Sequence, residues 1–253
     1  MQLTYLDSNT WLFNFNGTNI LLDPWLVGPL VFANQGWFFK GDRTKPKAIP
    51  DKIDAILLSQ GLPDHAHPPT LEKLDRAIPV IGSPNAIGVV RDLGYTNLTS
   101  LEHGDRTTFV DITIEAVPGS PIGPTLMENA YFVRSAAGSF YYEPHGFHHR
   151  PSLEAAEPVD AAIVPVVGLN LPVVGAFIKG EEAALEVAQL LRPRFVIPTT
   201  TRGDVEFTGV LEKLLGVSGT EGEFQQALSE RCPEVRSLLP TPGEPFELSA
   251  VAG

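Results

Sequence analysis

The chain has 253 residues, of which 43% are apolar and 19% are charged, and this composition excludes wholesale disorder. Its 30 acidic and 18 basic residues give a formal charge of -12, which repels phosphate backbones and anionic lipid surfaces and argues against nucleic-acid and membrane partners. The single cysteine, Cys232, excludes an intrachain disulfide and a multi-cysteine zinc ribbon. The opening residues lack the basic and apolar regions of a signal peptide, so we expect a cytoplasmic protein.

The first part of the chain predicts short strands separated by turns. Asn16-Gly17 has the composition of a hairpin turn between two of them. The stretch 24–50 has no period, so we expect a long loop that packs through its aromatic residues 37–39. The predicted elements are strands at 2–6, 10–15, 19–22 and 54–59, a helix at 70–77, a strand at 78–82 and a helix at 85–94.

The second part of the chain repeats an order of strands followed by helices. This order predicts two sheets packed face to face with helices outside, an α+β four-layer αββα sandwich. No Pro- or Ser-rich linker divides the chain, so we expect a single domain over 1–253. The predicted elements are strands at 107–110, 112–117, 129–134, 139–142, 161–166, 195–198, 235–239 and 245–248, and helices at 180–191, 205–215 and 221–232.

The uncharged segment Ala161–Ile178 is long enough to cross a bilayer. Two prolines and two glycines interrupt it, and these residues would break a lone helix in lipid. A buried strand that continues into an apolar loop explains the segment better than a membrane span does.

The loop after the strand at 54–59 carries the most specific motif. Residues 59–67 read SQGLPDHAH, which resembles the metal-binding loop of the metallo-β-lactamase-fold superfamily, where the pattern after such a strand is His-x-His-x-Asp-His. The sequences DPWL at 23–26, PPTL at 68–71 and PGE at 242–244 are similar to landmarks of the small-molecule hydrolase branch that includes ascorbate-phosphate lactonases. These matches occur in order along almost the whole chain. The resemblance implies the metallo-β-lactamase-like αββα fold and a hydrolytic activity.

Aligned with the family pattern, this sequence has lost most of the first metal site. Gln60 and Leu62 replace the first two histidines, and Ser120 replaces the histidine of the third motif. Thr200 stands at the position of the last histidine. Leucine has no lone pair and an amide oxygen suits zinc poorly, so the sequence argues strongly against a two-metal centre of the family's usual kind. Gln60 and Thr200 are then expected to line the pocket.

The resemblance implies that part of the family's second metal site is retained. Asp64 and His65 are intact, and His145 stands where the family has the aspartate that bridges the two metals. Two imidazoles, one carboxylate and an open position suit a catalytic site with at most one ion, Zn or Fe/Mn. Glu143 precedes His145 by two residues, so on an extended backbone it faces the same side. In this hypothesis Asp64 orients or deprotonates the water.

A metal-free interpretation remains open beside this one. Asp64 and His65 can form a hydrogen-bonded pair that fixes a loop after the metal has been lost. Asp23 resembles the family's aspartate that orients a side chain of the metal loop, and it is equally an ordinary turn-forming residue before proline. His67 is either a second donor behind the ligands or an outward residue. At least one of the adjacent His148 and His149 is expected at the surface.

Three classes of function follow from these alternatives. The first is a hydrolase-like protein with a remodelled centre that acts on a small ester, lactone or phosphodiester. The second is a catalytically inactive module that binds a small molecule in the old pocket. The third is an interaction module whose apolar loops form a homo-oligomer. The fold alone does not choose among them, because one fold hosts many activities.

Overall fold

The computed structural model describes residues 1–32, 35–123, 125–172, 175–199 and 203–248. The chain divides into two compact units. The first unit comprises Met1–Glu102, Arg202–Leu214 and Pro240–Gly253, and the second comprises His103–Thr201 and Leu215–Leu239. The expectation of a single domain stays a prediction.

The described strands and helices are numbered in chain order. The strands are β1 Gln2–Tyr5, β2 Trp11–Phe15, β3 Thr18–Leu22, β4 Leu30–Val31, β5 Lys40–Arg43, β6 Ala55–Leu58, β7 Val80–Gly82, β8 Leu98–Ser100, β9 Arg106–Phe109, β10 Ile112–Ile122, β11 Leu126–Ser135, β12 Gly138–Tyr142, β13 Ala161–Val164, β14 Gly168–Leu171, β15 Gly175–Ile178, β16 Phe195–Pro198, β17 Val205–Thr208, β18 Gly216–Ser218, β19 Arg236–Ser237 and β20 Pro245–Glu247. The helices are α1 Pro68–Leu71, α2 Pro84–Asp92, α3 Arg150–Ala155, α4 Glu181–Leu191 and α5 Glu221–Arg231, and Glu212–Leu214 form a 3-10 turn.

The first unit is built on a seven-stranded sheet in the order β20-β1-β2-β3-β6-β7-β8. The predicted turn at Asn16-Gly17 joins β2 to β3, and both residues have positive φ, 50° and 98°, as a type I′ turn requires. From β3 to β8 the strands are parallel. Helix α2 begins where Ser83 Oγ accepts the amide of Ala86, and its buried face packs on the apolar side chains of β3, β6 and β7.

Two predictions in the first unit are wrong. The helix expected at 70–77 stops after Leu71, because Lys73 and Leu74 form i to i+3 turns with Thr70 and Leu71. The helix expected at 205–215 is instead strand β17 followed by the 3-10 turn. The strand pairs with β5 inside the segment expected to be an irregular loop, and Phe207 stacks on Phe39 with centroids 5.3 Å apart.

The second unit is built on a seven-stranded sheet in the order β19-β16-β13-β12-β11-β10-β9. Strands β12, β13, β16 and β19 are parallel, so their carboxyl ends share one edge. Helix α4 buries one apolar stripe against β13 and β16, and α5 begins where Thr220 Oγ1 accepts the amide of Glu223. Helix α3, which the sequence pattern did not predict, follows His149.

The apolar segment 161–178 forms strands rather than a membrane helix. Strand β13 is fully buried, as expected for its continuous apolar run. The expected apolar loop contains β14 and β15, which pair as an antiparallel hairpin that β18 extends. None of the helices in the described ranges is long and apolar enough to span a bilayer.

Candidate metal centre

Asp23 connects the ends of two parallel strands in the first unit. It follows β3 with a φ of 42°, a left-handed conformation that aspartate tolerates better than most residues. Its fully buried carboxylate accepts hydrogen bonds from the amide of Ser59 (2.7 Å) and from the hydroxyl of Ser59 (2.5 Å), just beyond the end of β6. The loop that carries the motif is therefore fixed at its first residue.

His65 lies between two carboxylates. Its ring is fully buried, Nδ1 donates to Oδ2 of Asp23 (2.7 Å), and Nε2 lies 3.2 Å from Oδ2 of Asp64. Burial lowers the pKa of His65, but the charges of Asp64 and Asp23 and their hydrogen bonds outweigh burial and raise it to about 10. The raised pKa favours the protonated imidazole, which the two neighbouring carboxylates stabilise.

Asp64 is partly exposed, with 19% of its side chain accessible. Gln60 is fully buried, and Leu62 turns the loop by accepting the amides of His65 and Ala66 through its carbonyl. The structure thus brings His65 and Asp64 of the motif loop together with Asp23, which follows β3.

His67 is buried, so it is not an outward residue. Nε2 donates to the carbonyl of Pro29 (3.2 Å), and Nδ1 accepts from the hydroxyl of Thr70 (3.0 Å). Burial lowers the pKa of His67 to about 4, so the ring is neutral. Its ring centre lies 6.0 Å from that of Trp25. These contacts give His67 a structural role in packing the loop.

Glu143 organises the corresponding edge of the second unit. It follows β12 directly and is fully buried. Its Oε1 accepts a short hydrogen bond from the hydroxyl of Ser120, and its Oε2 accepts the amides of His145 (3.2 Å) and Phe147 (2.8 Å). Burial raises the pKa of Glu143, and these hydrogen bonds oppose that shift. His145, half-buried, is carried on the loop that these bonds hold.

The adjacent histidines 148 and 149 have different environments. Only 2% of the side chain of His148 is exposed, whereas His149 is exposed, as expected for at least one of the pair. The hydroxyl of Tyr141 donates to Nδ1 of His148 (3.1 Å). Burial lowers the pKa of His148 to about 3, and Lys179 lowers it further. Thr200, expected to line the pocket, lies outside the described residues.

Sequence reasoning assigned no contact to three residues that shape these two groups. Ser59 is the donor that fixes Asp23, and its position at the end of a strand opposite an Asp-Pro turn was a usable signal. Ser120 was noted only as the replacement of a family histidine, and Tyr141 had no signal, because their partners Glu143 and His148 lie outside their own strands. Only tertiary pairing brings such residues together.

Comparison with known proteins identifies the family. Residues 2–200 match the family model described as the beta-lactamase superfamily domain, and the chain therefore belongs to that family. A relative from Carboxydothermus hydrogenoformans, named a UPF0173 metal-dependent hydrolase, is 25% identical over 215 residues, which cover 78% of this chain and 83% of the relative.

Solved structures agree on the fold over nearly the whole chain. An isothiocyanate hydrolase from Delia radicum gut bacteria superposes with a TM-score of 0.70 at 16% identity, covering 97% of this chain and 98% of its own. A metallo hydrolase from the archaeon Ignicoccus hospitalis gives 0.69 at 17% identity, with the same coverage of 97% and 98%. The predicted class, the α+β sandwich of the metallo-β-lactamase fold, is confirmed. The chain belongs to a family of this fold whose named relatives are metal-dependent hydrolases.

The residues present fit a metal site with fewer ligands than the family pattern has, as the sequence predicts. A metal-binding histidine commonly donates its second ring nitrogen to a carboxylate, which fixes the ring and makes it a better ligand. The hydrogen bond from His65 Nδ1 to Asp23 has this form. Gln60, which is buried, and Ser120, whose hydroxyl donates to Glu143, offer only neutral oxygen atoms, which are poor zinc ligands.

Replacing Asp23 should destabilise the metal-free protein. We expect Asp23→Ala to lower the free energy of unfolding by about 3 kcal/mol or more, because it leaves the buried His65 and the Ser59 amide without their acceptor. Urea denaturation after chelation measures the change. The exposed Asp51 provides the matched control, for which Asp51→Ala should stay within about 0.5 kcal/mol. A loss below about 1 kcal/mol in Asp23→Ala would contradict the assigned network.

His148 should make the protein sensitive to acid. Its pKa of about 3 in the folded state lies below the ordinary 6.5, so between these values the unfolded chain binds a proton that the folded chain does not. Stability is therefore full above pH 6.5 and falls as the pH drops, by about 1.4 kcal/mol per pH unit from this group alone. Tyr141, Glu143 and Lys179 are titratable groups close to the ring, and Arg150, Glu182, Glu186 and Arg231 line the same pocket.

The comparison of wild type with His148→Gln isolates this contribution. Urea denaturation between pH 6.5 and 4.5 should give a shallower fall in unfolding free energy for the variant, by about 1 kcal/mol per pH unit. His149→Gln, at the exposed neighbour, should keep the wild-type slope. Equal slopes for wild type and His148→Gln would show that His148 is not held neutral.

Proposed function

We propose that this protein is a metal-dependent hydrolase with a remodelled centre that holds one ion, Zn or Fe/Mn, through Asp64, His65 and His145. The observation that carries the proposal is the Asp23–His65 hydrogen bond, which prepares Nε2 of a fully buried imidazole beside the Asp64 carboxylate. Two imidazoles and one carboxylate leave coordination positions for water and substrate, as catalytic sites require. When bound, the ion would acidify a coordinated water and polarise a carbonyl or phosphoryl oxygen.

In this proposal Asp23, Asp64 and Glu143 have separate roles. Asp23 keeps the His65 ring in one orientation and one tautomer. Asp64, the partly exposed member, can accept a proton from the attacking water as general base. Glu143 fixes the backbone that carries His145. A small ester, lactone or phosphodiester is the proposed substrate class, because water attack on a polarised acyl or phosphoryl centre is the chemistry this set supports.

Metal content tests the proposal without any substrate. Protein purified without chelator should contain about one transition-metal ion per chain, because the donors suffice for one site only. Elemental analysis by plasma mass spectrometry should find that Asp64→Ala and His145→Ala lose most of this metal. His149→Ala is the matched control, since His149 is exposed on the same segment, and it should keep the metal. No metal in wild type, or two ions per chain, would contradict the proposal.

Hydrolysis assays test the role of Asp64. Against a panel of p-nitrophenyl esters, small lactones and bis-p-nitrophenyl phosphate, Asp64→Asn should lower kcat on any accepted substrate by about 100-fold or more, as expected for loss of a general base that also holds the ion. Chelation should abolish the activity and metal addition should restore it. Activity that survives both chelation and Asp64→Asn would refute the role.

One observation favours a second candidate, a metal-free module that binds a small molecule. His65 bridges Asp23 and Asp64 as a charge-balanced group, and a metal must displace its Nε2 proton to bind. In that case chelated protein should gain thermal stability from some metabolite in a library, and His65→Ala should abolish the shift. A library that shifts neither protein would count against this alternative.

A further inference from the structure

The loop that carries His145 is fixed by a buried carboxylate. Glu143 is fully buried, and a buried carboxylate is costly unless several donors satisfy its oxygens. Here the donors are the backbone amides of His145 and Phe147, together with the Ser120 hydroxyl. Two amides of one short loop directed at one carboxylate oxygen define the path of the loop.

Contacts on the other side of the loop leave it little freedom. The carbonyl of His145 accepts the amide of Lys179 (2.8 Å), just beyond the end of β15. Gly146 has a φ of 78°, and a Cβ there would collide with the carbonyl of Lys179, so the close approach requires glycine. The Lys179 ammonium lies 4.3 Å from the ring centre of Phe147.

We infer that Glu143 is the positioning residue of this loop, and that the Ser120–Glu143 hydrogen bond is the brace that holds it. The backbone of His145 is then held by protein–protein hydrogen bonds, independently of any ion. The part of this inference that concerns metal binding rests on the proposed function. A preorganised ligand binds an ion more tightly, because less conformational freedom is lost on binding.

Hydrogen exchange of the chelated protein tests the brace without reference to a metal. In wild type the amides of His145 and Phe147 should exchange slowly, and in Glu143→Ala at least about tenfold faster, with the rest of the second unit unchanged. Glu143→Gln should restore slow exchange, because its oxygen still accepts the amides while its nitrogen donates to Ser120 Oγ. Glu157→Ala, at an exposed glutamate, is the matched control.

Unchanged exchange in Glu143→Ala would overturn the inference. If Glu143→Ala does not fold, Ser120→Ala replaces it, and this variant should accelerate exchange of the same amides severalfold; no acceleration would equally overturn the inference. Circular dichroism and a cooperative melting curve establish that each variant is folded.

Titration with Co2+ alone tests the consequence for metal binding. Glu143→Ala should bind Co2+ about 10- to 100-fold more weakly and alter its d–d absorption spectrum, and Glu143→Gln should approach wild type. A loosened loop with unchanged Co2+ affinity would refute the positioning role. Absence of Co2+ binding in wild type, with the exchange result intact, would refute the proposed function and leave the brace standing.

Discussion

The hydrogen bond from His65 to Asp23 is the interaction on which the candidate centre depends. Asp23 also accepts the amide and the hydroxyl of Ser59, so one buried carboxylate joins the end of β3 to the loop after β6 and orients the histidine at the same time. Without it, a buried imidazole and a buried amide would both lose their acceptor, and neither the loop nor the ring would have a defined position.

Both units use the same physical device. In each, a carboxylate just after a strand is fully buried and accepts hydrogen bonds from a loop. That loop follows β6 for Asp23 and β12 for Glu143. Asp23 receives a ring nitrogen and Glu143 receives backbone amides, so one fixes a side chain and the other fixes a backbone. A hydrogen-bonded buried carboxylate therefore fixes each of these two groups.

The sequence predicted the fold through ordered landmarks and missed elements that depend on tertiary contacts. The buried strand β13 and helix α4 have patterns strong enough to be recognised locally. The segment 205–215 does not, because β17 exists through pairing with β5 and the segment turns at Gly209, which has a φ of 120°. The β14–β15 hairpin has one polar residue, Asn170, in an otherwise apolar sequence and lacks the alternation that marks a half-buried strand.

Only those residues of the candidate centre that lie in a recognisable motif or turn were predictable from the sequence. The motif at 59–67 identified Asp64 and His65, and the Asp-Pro turn identified Asp23. The spacing of two residues related Glu143 to His145, but Ser120, which donates to Glu143, lies on β10, and Tyr141, which donates to His148, lies on β12, and no motif in the sequence relates these pairs. Burial also decided a case that spacing could not, since His148 is enclosed while its neighbour His149 is exposed.

X-ray absorption at the metal edge measures the proposed ligand set, Asp64, His65 and His145, without any substrate. For wild-type protein loaded with Zn2+ or Co2+, we expect a first shell of nitrogen and oxygen with scattering from two imidazole rings. His145→Ala should reduce this to one ring. A spectrum that shows three or more imidazole rings, that shows none, or that is unchanged in His145→Ala would refute this ligand set.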